Sequence, residues 1–259
     1  MIRAAGWALV LGVLASVRAA EPSPALRLFH DASVRFYLGF DHATLEADLS
    51  NGPPAPLAVS GIPFYRAGLF GRALFMAAGG KVVYDRSHNL PTATEVGTLC
   101  FWFKPVGWGS DEGQRPTRTL FRSQYPSAGI SWGGRIWDFR DLEPLMYYCN
   151  RFLPPDNQMK AEVLSQYAGP LQEGTWCLIV LSWSRHGAAL SLNGQKPVSR
   201  NLLRPVTEDE TRPTADDGRF SFHFDEAMLL DEVFVFDRVL SESEIRQIYE
   251  SLTGAALAP

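Results

Sequence analysis

The chain has 259 residues, of which 46% are hydrophobic and 20% are charged. This composition excludes a disordered chain, a fibrous repeat and a coiled-coil rod, and it is typical of a globular protein with a substantial core. The formal net charge is −4, which makes the chain a poor candidate for binding phosphate backbones. We therefore expect no nucleic-acid partner.

The amino terminus has the pattern of a secretory signal peptide. An apolar run over residues 4–17 follows a basic residue, and Val17 and Ala19 supply the small residues of an A-x-A-like cleavage site. The run is too short for a helix that crosses about 30 Å of hydrocarbon. We predict a signal peptide over residues 1–20, no membrane span after its removal, and a secreted, periplasmic or cell-surface location. An uncleaved anchor is the alternative, because Arg18 lies beside the cleavage point.

Beyond the leader, short runs rich in Val, Ile, Phe, Tyr and Trp are separated by clusters of Gly, Pro, Asn and Asp, which is typical of strands joined by turns. Eleven such runs are predicted to be strands. They are residues 35–40, 73–77, 81–84, 97–104, 118–122, 130–137, 145–149, 176–183, 188–192, 220–224 and 227–236.

The apolar patterns of these runs indicate two stacked sheets. In residues 220–224, phenylalanines alternate with Ser221 and His223, so one face packs inward and the other meets solvent or a ligand. The run over residues 177–181 is continuously apolar, which indicates a central strand covered on both faces. No Ser/Gly-rich linker divides the mature chain, so we predict one all-β domain over residues 21–259.

One helix is predicted near the carboxyl terminus. Ser241 and Glu244 form a capping box, and Gly254 supplies a helix stop. Between them, Ile245, Ile248 and Leu252 give an apolar stripe at helical spacing. Residues 156–167 are a second, weaker candidate for a short helix.

The three cysteines, Cys100, Cys149 and Cys177, cannot all pair within one chain. Cys100 and Cys177 lie inside apolar runs, where a small buried hydrophobe is favoured over a disulfide. The sequence contains no C-x-x-C, and its five histidines have no metal-ligand spacing to one another or to the thiols. This pattern argues against a zinc site.

Two patterns resemble catalytic motifs, but neither has the required context. Residues 129–133 match G-x-S-x-G around Ser131, yet the following residues predict a strand instead of the helix that a nucleophile elbow needs. Asp231 and Glu232 are neighbours in a predicted strand and are expected to point to opposite faces, unlike the converging carboxylates of a retaining glycosidase. We therefore expect no catalytic residues.

Several segments together resemble the laminin G-like domains of the concanavalin A-like lectin/glucanase superfamily, in their exported bacterial form. The most specific match is the run over residues 230–241, which leads into the capped helix. Weaker matches are residues 40–52, 70–75, 97–105, 176–183 and 190–194. The resemblance implies a two-sheet antiparallel jelly-roll sandwich with a short C-terminal helix. Members of this superfamily bind glycans, proteins or calcium, and some are glucanases.

The resemblance also implies a structural calcium ion (Ca²⁺) at the edge of the sandwich. Asp231 matches the position of a calcium-binding Asp, and Asp41 is a weaker partner. Calcium needs six to eight oxygen ligands, many of which a sequence cannot reveal. The alternative is that Asp231 accepts backbone hydrogen bonds in a turn and that Asp41 is a turn residue.

The region between Pro105 and Phe152 is dense in aromatic residues, with Gly and Arg among them. Aromatic faces beside hydrogen-bonding groups suit sugar rings. Trp108 is the strongest candidate, because Gly107 and Gly109 flank it in a predicted loop. The full set of predicted ligand-binding residues is Trp108, Trp132, Trp137, Tyr147 and Arg135.

We therefore predict an exported, noncatalytic recognition module that binds carbohydrate, with a glycan or a cell-surface protein as its partner. Two alternatives remain: a polysaccharide-active hydrolase or lyase with an unfamiliar carboxylate pair, and a protein-binding envelope domain. Two acidic side chains facing each other across a sheet would favour the enzyme, whereas an exposed apolar patch would favour a protein partner.

Overall fold

The fold is given by a computed structural model, which describes residues 31–92, 94–108, 118–125, 130–136, 145–153, 158–166, 173–202, 205, 207 and 218–256. Sixteen strands and one helix lie in this part of the chain. The strands are β1 (Val34–Leu38), β2 (Leu49–Ser50), β3 (Ala58–Ser60), β4 (Phe64–Ala67), β5 (Arg72–Met76), β6 (Gly80–Asp85), β7 (Gly97–Pro105), β8 (Arg118–Tyr125), β9 (Ile130–Ile136), β10 (Leu145–Leu153), β11 (Gln158–Gln166), β12 (Cys177–Ser184), β13 (Gly187–Leu192), β14 (Val198–Asn201), β15 (Arg219–Phe224) and β16 (Met228–Phe236). The helix is α1 (Glu242–Ala256).

The strands form two antiparallel sheets. Nine of the described strands make one sheet, in the order β14-β13-β12-β7-β16-β1-β2, with β5 also paired to β16 and β4 to β5. Seven make the other sheet, in the order β11-β10-β9-β8-β15-β6-β3. The prediction of an all-β fold with two antiparallel sheets and one short helix is confirmed.

All eleven predicted strands are present, with boundaries shifted by a few residues. The structure adds β2, β3, β4, β11 and β14. The suggestion of a helix over residues 156–167 is wrong, because residues 158–166 form β11 and pair with β10 along its whole length. Met159, Ala161 and Val163 alternate with polar residues there, a period of two that favours a strand.

The main core lies between the two sheets and is rich in phenylalanine. Phe36 and Phe101 of the nine-stranded sheet meet Phe220 and Phe222 of the seven-stranded sheet. The ring centroids of Phe36 and Phe220 are 5.4 Å apart, and those of Phe101 and Phe222 are 5.7 Å apart, both edge to face. These contacts join the two layers and make the sandwich a rigid support.

A second hydrophobic cluster lies between α1 and the outer face of the nine-stranded sheet. Trp102 of β7 stacks on Tyr249 of α1, with ring centroids 5.7 Å apart, and Ile245 and Ile248 are buried beside them. The helix therefore covers this face. Within the described part of the chain, no helix is long and apolar enough to span a membrane.

The start of α1 has the predicted capping box. The Ser241 backbone N donates to Glu244 Oε2 at 2.7 Å, and the Glu244 backbone N donates to Ser241 Oγ at 3.3 Å. The predicted stop at Gly254 is wrong, because the helix continues to Ala256.

Cys100 and Cys177 are buried free thiols, 1% and 3% exposed. Burial raises the pKa of both thiols, so each side chain stays neutral and packs as a small hydrophobic group. This confirms the sequence-based expectation for these two residues. Cys149 lies on β10.

Candidate functional site

The two residues assigned to calcium by resemblance hold opposite ends of one turn, residues 68–72. Asp231 Oδ2 accepts a hydrogen bond from the Leu69 backbone N at 2.7 Å, and Asp231 Oδ1 accepts one from the Glu232 backbone N at 3.0 Å. Asp41 Oδ1 accepts a hydrogen bond from the Arg72 backbone N at 2.8 Å. The alternative, that Asp231 accepts backbone hydrogen bonds, is therefore what the structure shows.

In this arrangement the carboxylates of Asp231 and Asp41 each accept backbone hydrogen bonds. Burial raises the pKa of Asp231 to about 9, the Glu232 charge adds to the rise, and the backbone donors oppose it. Calcium requires ionised carboxylates and several further oxygens. Within the described ranges, no group of three or more His, Cys, Asp or Glu side chains is arranged to hold a metal ion. Calcium binding stays a prediction.

The expectation that Asp231 and Glu232 point to opposite faces is wrong. The β16–β7 register shifts between Asp231 and Phe234, and Glu232 has a positive φ of 48°, which marks a β-bulge. Glu232 accepts a hydrogen bond from the Tyr37 hydroxyl at 3.1 Å, and Asp231 accepts one from Leu69. Since Tyr37 and Leu69 belong to the cluster that packs under α1, both carboxyl groups lie on that side of the sheet.

This carboxyl pair is inaccessible to a polysaccharide. Asp231 and Glu232 are 0% and 1% exposed. Burial raises the pKa of Glu232 to about 8, the Tyr37 hydrogen bond opposes the rise, and the charges of Asp41 and Asp48 add to it. Two enclosed groups that favour the protonated form cannot act on a glycosidic bond in this structure.

Ser131 lies on β9, which pairs with β8 and β10 on its two sides. A nucleophile elbow requires a sharp turn from strand into helix at the serine. The strand at residues 130–136 agrees with the sequence-based rejection of a hydrolase motif.

Trp108 lies outside the strands, as predicted for a loop residue, but its side chain is buried. It is 3% exposed, and its indole N–H donates to the Ala227 carbonyl at 2.6 Å. Its ring centroid is 5.9 Å from that of Phe103, and the Arg118 guanidinium carbon lies 4.9 Å from the Trp108 ring centroid. The indole therefore fills one end of the core, because burial and a hydrogen bond to the segment before β16 both stabilise it there.

Three other predicted site residues lie on adjacent strands of the seven-stranded sheet. Trp132 and Arg135 are on β9, where they pair with Cys149 and Met146 of β10. Tyr147 is on β10 and pairs with Gly134. Trp137 lies outside the described residues. The binding roles of these four residues stay predictions.

Three neighbouring strands of this sheet, β8, β15 and β6, carry a group of basic side chains on the face away from the core. On β15, Phe220, Phe222 and Phe224 are buried, whereas Arg219, Ser221 and His223 lie at the intervening positions and reach solvent. Antiparallel pairing places Lys81 of β6 opposite His223, and Arg122 of β8 opposite Ser221. We call the set formed by Lys81, Arg122, Arg219, Ser221 and His223 the basic face.

Ser221 occupies the middle of the basic face. Arg219 and His223 lie two residues away in either direction, about 7 Å along the strand. Arg122 lies on the neighbouring strand, about 5 Å away. Ser221 Oγ is 2.9 Å from His223 Nε2 and donates to the Arg122 carbonyl at 3.4 Å. Arginine and lysine donate hydrogen bonds only, so this surface suits ligands that present acceptor oxygens.

The floor between these long side chains is made of small or compact residues. Val83 of β6 pairs with Ser221 on one side and with Ala58 of β3 on the other, and Ser60 pairs with Lys81. On β9, Gly133 pairs with Arg122. A flat floor with donors around it can accept an extended chain laid across the strands.

The sequence indicated only part of this arrangement. The alternation in β15 marked Ser221 and His223 as facing solvent or a ligand, but Lys81 and Arg122 lie far away in the chain. Their contribution depends on strand order, since β15 lies between β6 and β8.

A shallow cleft of about 200 Å³ lies elsewhere, beside the β12–β13 hairpin. Trp183, His186 and Arg200 are among its lining residues. Trp183 is 3% exposed, and its indole N–H donates to the Thr92 carbonyl at 3.0 Å. Because the Trp183 ring is buried, a ligand in the cleft could not stack on it, so the basic face is the stronger candidate for a binding site.

The sequence matches no protein-family model and no curated protein sequence, but the fold is similar to solved structures. One is the binding domain of botulinum neurotoxin DC in complex with rat synaptotagmin II, with 15% identity, a TM-score of 0.61, and coverage of 85% of this chain and 52% of that chain. Another is the binding domain of Paraclostridial mosquitocidal protein 1, with 14% identity, a TM-score of 0.62, and coverage of 85% and 52%.

A third similar structure is domain 4 of AbnA, a GH43 extracellular arabinanase from Geobacillus stearothermophilus, in complex with arabinotriose. It has 14% identity and a TM-score of 0.57, and the match covers 84% of this chain and 99% of that one. The chain thus spans about half the length of the toxin binding domains and nearly all of the arabinanase domain. At these identities the likeness concerns the fold, which is a β-sandwich found in binding domains.

Proposed function

We propose that the chain is an exported, noncatalytic module that recognises carbohydrate on the outer face of its seven-stranded sheet. The observation that carries this proposal is the basic face, where hydrogen-bonding side chains surround a flat floor on a rigid sheet. The same sheet continues into β9, which carries Arg135. A fixed support for polar side chains is what a noncatalytic binding surface requires.

The comparisons and the leader sequence support this proposal. A similar fold binds arabinotriose as a domain of an arabinanase, so a sandwich of this kind can serve as a carbohydrate-binding domain. Export is supported by the apolar run over residues 4–17 and its small-residue cleavage site. An enzyme is disfavoured because Asp231 and Glu232 are enclosed and Ser131 lies on a strand.

A glycan array probed with residues 21–259, with and without calcium, tests the proposal. The variant Ser221→Ile places an apolar, β-branched side chain at the centre of the basic face, and Ser199→Ile on the edge strand β14 is its matched control. We expect Ser221→Ile to lower the signal for bound glycans at least tenfold and Ser199→Ile to leave it within twofold. Both variants are first compared with the unmodified chain by thermal melting.

The array has two outcomes that would contradict the proposal. If no glycan on the array gave a binding signal, with or without calcium, the proposal of carbohydrate recognition would be wrong. Glycan binding that Ser221→Ile leaves unchanged, in a variant that melts normally, would place the site away from the basic face.

A protein partner is a second candidate, because one stretch of the surface is apolar. Leu57, Val59, Ile62 and Phe64 are 50%, 40%, 70% and 52% exposed. They follow one another along β3, β4 and the turn between them, and both strands lie at sheet edges in the described part of the chain. Exposed apolar groups beside edge strands are typical of protein-binding surfaces.

A photo-crosslinking residue at position 62 tests this second candidate in an extract of surface and envelope proteins. A protein partner would give a discrete cross-linked product that is lost when Phe64→Ser is added. The same crosslinker at position 199 on β14 is the control, and equal products from both positions would count against a specific protein partner.

A further inference from the structure

We infer that the ligand of the basic face is an acidic polysaccharide whose sugars carry carboxylates, that is, a polyuronate. This inference rests on the proposed function, because it names the ligand class of the same surface. It is carried by the sign and spacing of the charges on β6, β8 and β15.

The charge on this face is opposite to that of the whole chain. Lys81, Arg122 and Arg219 are cationic side chains. Among the described side chains of this face, Asp85 is the acidic one, and its Oδ1 accepts a hydrogen bond from the Ser87 backbone N at 2.6 Å. The chain as a whole has a net charge of −4. Such a local excess of positive charge attracts anions.

The positions of the cations suit an extended polyanion. Lys81 and Arg122 lie on strands that flank β15, so their backbones are separated by about 10 Å across the sheet. Arg219 lies on β15, the strand between those two. Carboxylates repeated along a polysaccharide can therefore meet more than one cation. Each arginine can bind a carboxylate through two parallel hydrogen bonds.

A neutral glycan would use this surface less well. Neutral sugars present hydroxyl groups, which both donate and accept, whereas Lys81, Arg122 and Arg219 only donate. Asp85, Ser60 and Ser221 carry acceptor oxygens at the described positions of this face, and Asp85 Oδ1 is already hydrogen-bonded within its own turn. The donors therefore outnumber the acceptors, which favours a ligand rich in carboxylate oxygens.

A polyuronate also fits better than a nucleic acid. Single-stranded nucleic acids are held by aromatic side chains that stack on the bases as well as by cations. The described side chains of this face, from Ala58 on β3 to Arg122 on β8, include no aromatic residue.

Isothermal titration calorimetry on residues 21–259 tests the inference with five probes. These are polygalacturonate, alginate, fully methyl-esterified polygalacturonate, arabinan and a DNA duplex. We expect at least one of the two polyuronates to bind. We expect the methyl ester to bind at least tenfold more weakly than polygalacturonate if that polymer binds, because esterification removes the charge and keeps the sugar chain. Raising the salt from about 50 mM to about 500 mM should also weaken binding, since the Debye length falls.

Two double variants separate the basic face from the overall charge. Lys81→Gln with Arg219→Gln removes two positive charges from the face, and Arg72→Gln with Lys196→Gln removes two from exposed positions on other parts of the chain. Both lower the formal net charge of the protein by two, since each loses two cations. We expect the first pair to weaken polyuronate binding at least tenfold and the second pair to change it less than twofold. Thermal melting checks that both fold.

The outcomes distinguish this inference from the proposed function. Equal binding of the methyl ester, or an equal loss with both double variants, would overturn the inference. Binding of arabinan or another neutral glycan without either polyuronate would overturn it and leave carbohydrate recognition standing. Tighter binding of DNA would replace it with a nucleic-acid site. Silence for all probes, together with a silent glycan array, would remove the proposed function as well.

Discussion

Asp231 and Glu232 are consecutive carboxyl groups with almost no contact with solvent. Burial raises their pKa values to about 9 and about 8, whereas unfolded Asp and Glu side chains titrate near pH 4. Between these limits the folded state binds more protons than the unfolded state. The free energy of unfolding therefore decreases as the pH rises from about 5 to about 9.

The variant Glu232→Gln should weaken this pH dependence. Glutamine keeps an oxygen that can accept the Tyr37 hydrogen bond but cannot ionise. We expect the melting temperature of the unmodified chain to fall between pH 5 and pH 9, and that of the variant to fall less steeply. Glu46→Gln, at an exposed position, should retain the original slope. An unaltered slope in Glu232→Gln would show that Glu232 is already ionised in the folded protein.

The turn over residues 68–72 depends on Gly71. Gly71 has a φ of 46°, and a Cβ there would overlap Asp41 Oδ1, which accepts the Arg72 backbone hydrogen bond. Gly79 also has a positive φ, of 82°, but a Cβ there would meet no atom within 4 Å. Both glycines have a left-handed backbone conformation, but they differ in the space available for a Cβ.

Alanine at these two positions should therefore have different effects. We expect Gly79→Ala to lower the free energy of unfolding by about 1 kcal/mol, which is the cost of a left-handed backbone with a Cβ. Gly71→Ala should lower it by about 2 kcal/mol or more, because the overlap with Asp41 is added. Urea denaturation measures both values. Equal losses would show that the Asp41 contact contributes nothing.

Trp108 shows why single residues were hard to place from sequence. Its flanking glycines predicted a loop that could present the ring to a ligand, but its indole N–H donates to the Ala227 carbonyl, which is 119 positions away in the chain. Such a partner is invisible to local patterns. That Asp231 accepts backbone hydrogen bonds in a turn could be predicted, because aspartate side chains often do so. Which turn it binds could not be predicted, because Leu69 lies far from Asp231 in the chain.

At the scale of elements, the cap of α1 contributes to its stability. Ser241 Oγ accepts a hydrogen bond from the Glu244 backbone N, and loss of such a cap costs about 1 kcal/mol. We expect Ser241→Ala to lower the free energy of unfolding by this amount in urea denaturation. Ser243→Ala, within the first turn of the same helix, should change it by less than about 0.5 kcal/mol. A similar loss in both variants would mean that the capping hydrogen bond is not the cause.

Strands with a strong apolar pattern were predictable, and weakly patterned ones were not. β7, β12 and β16 are buried along most or all of their length, so composition alone reveals them. β3 and β14 are short and exposed throughout, and they form because a neighbouring strand supplies hydrogen bonds. The bulge at Glu232 was also hidden, since an extra residue in a strand leaves the apolar pattern on either side intact.

At the scale of the molecule, the open question about calcium has a direct measurement. Asp231 and Asp41 hold opposite ends of the turn over residues 68–72, so the fold has a protein-only means of fixing that turn. The calcium site implied by the resemblance predicts that an excess of chelator lowers the melting temperature by several degrees. An equal melting temperature with calcium and with the chelator would contradict that prediction and show that these hydrogen bonds suffice to fix the turn.

The basic face exists only in the assembled molecule. Lys81, Arg122 and Arg219 come from three separate regions of the sequence and meet because β6, β15 and β8 are neighbours. The sequence predicted the sandwich and one of the three strands as having a solvent face. It did not predict the order of the strands in each sheet. That order depends on which strands, distant in the chain, pair so that both sheets bury their apolar faces.

The position of β16 has a consequence for biosynthesis. This strand comes late in the chain, yet it lies between β7 and β1 near the middle of the nine-stranded sheet and also pairs with β5. During synthesis, the nine-stranded sheet lacks this central strand until residues 228–236 have emerged from the ribosome. The pairings of β16 with β1, β5 and β7 can therefore form only after these residues have emerged.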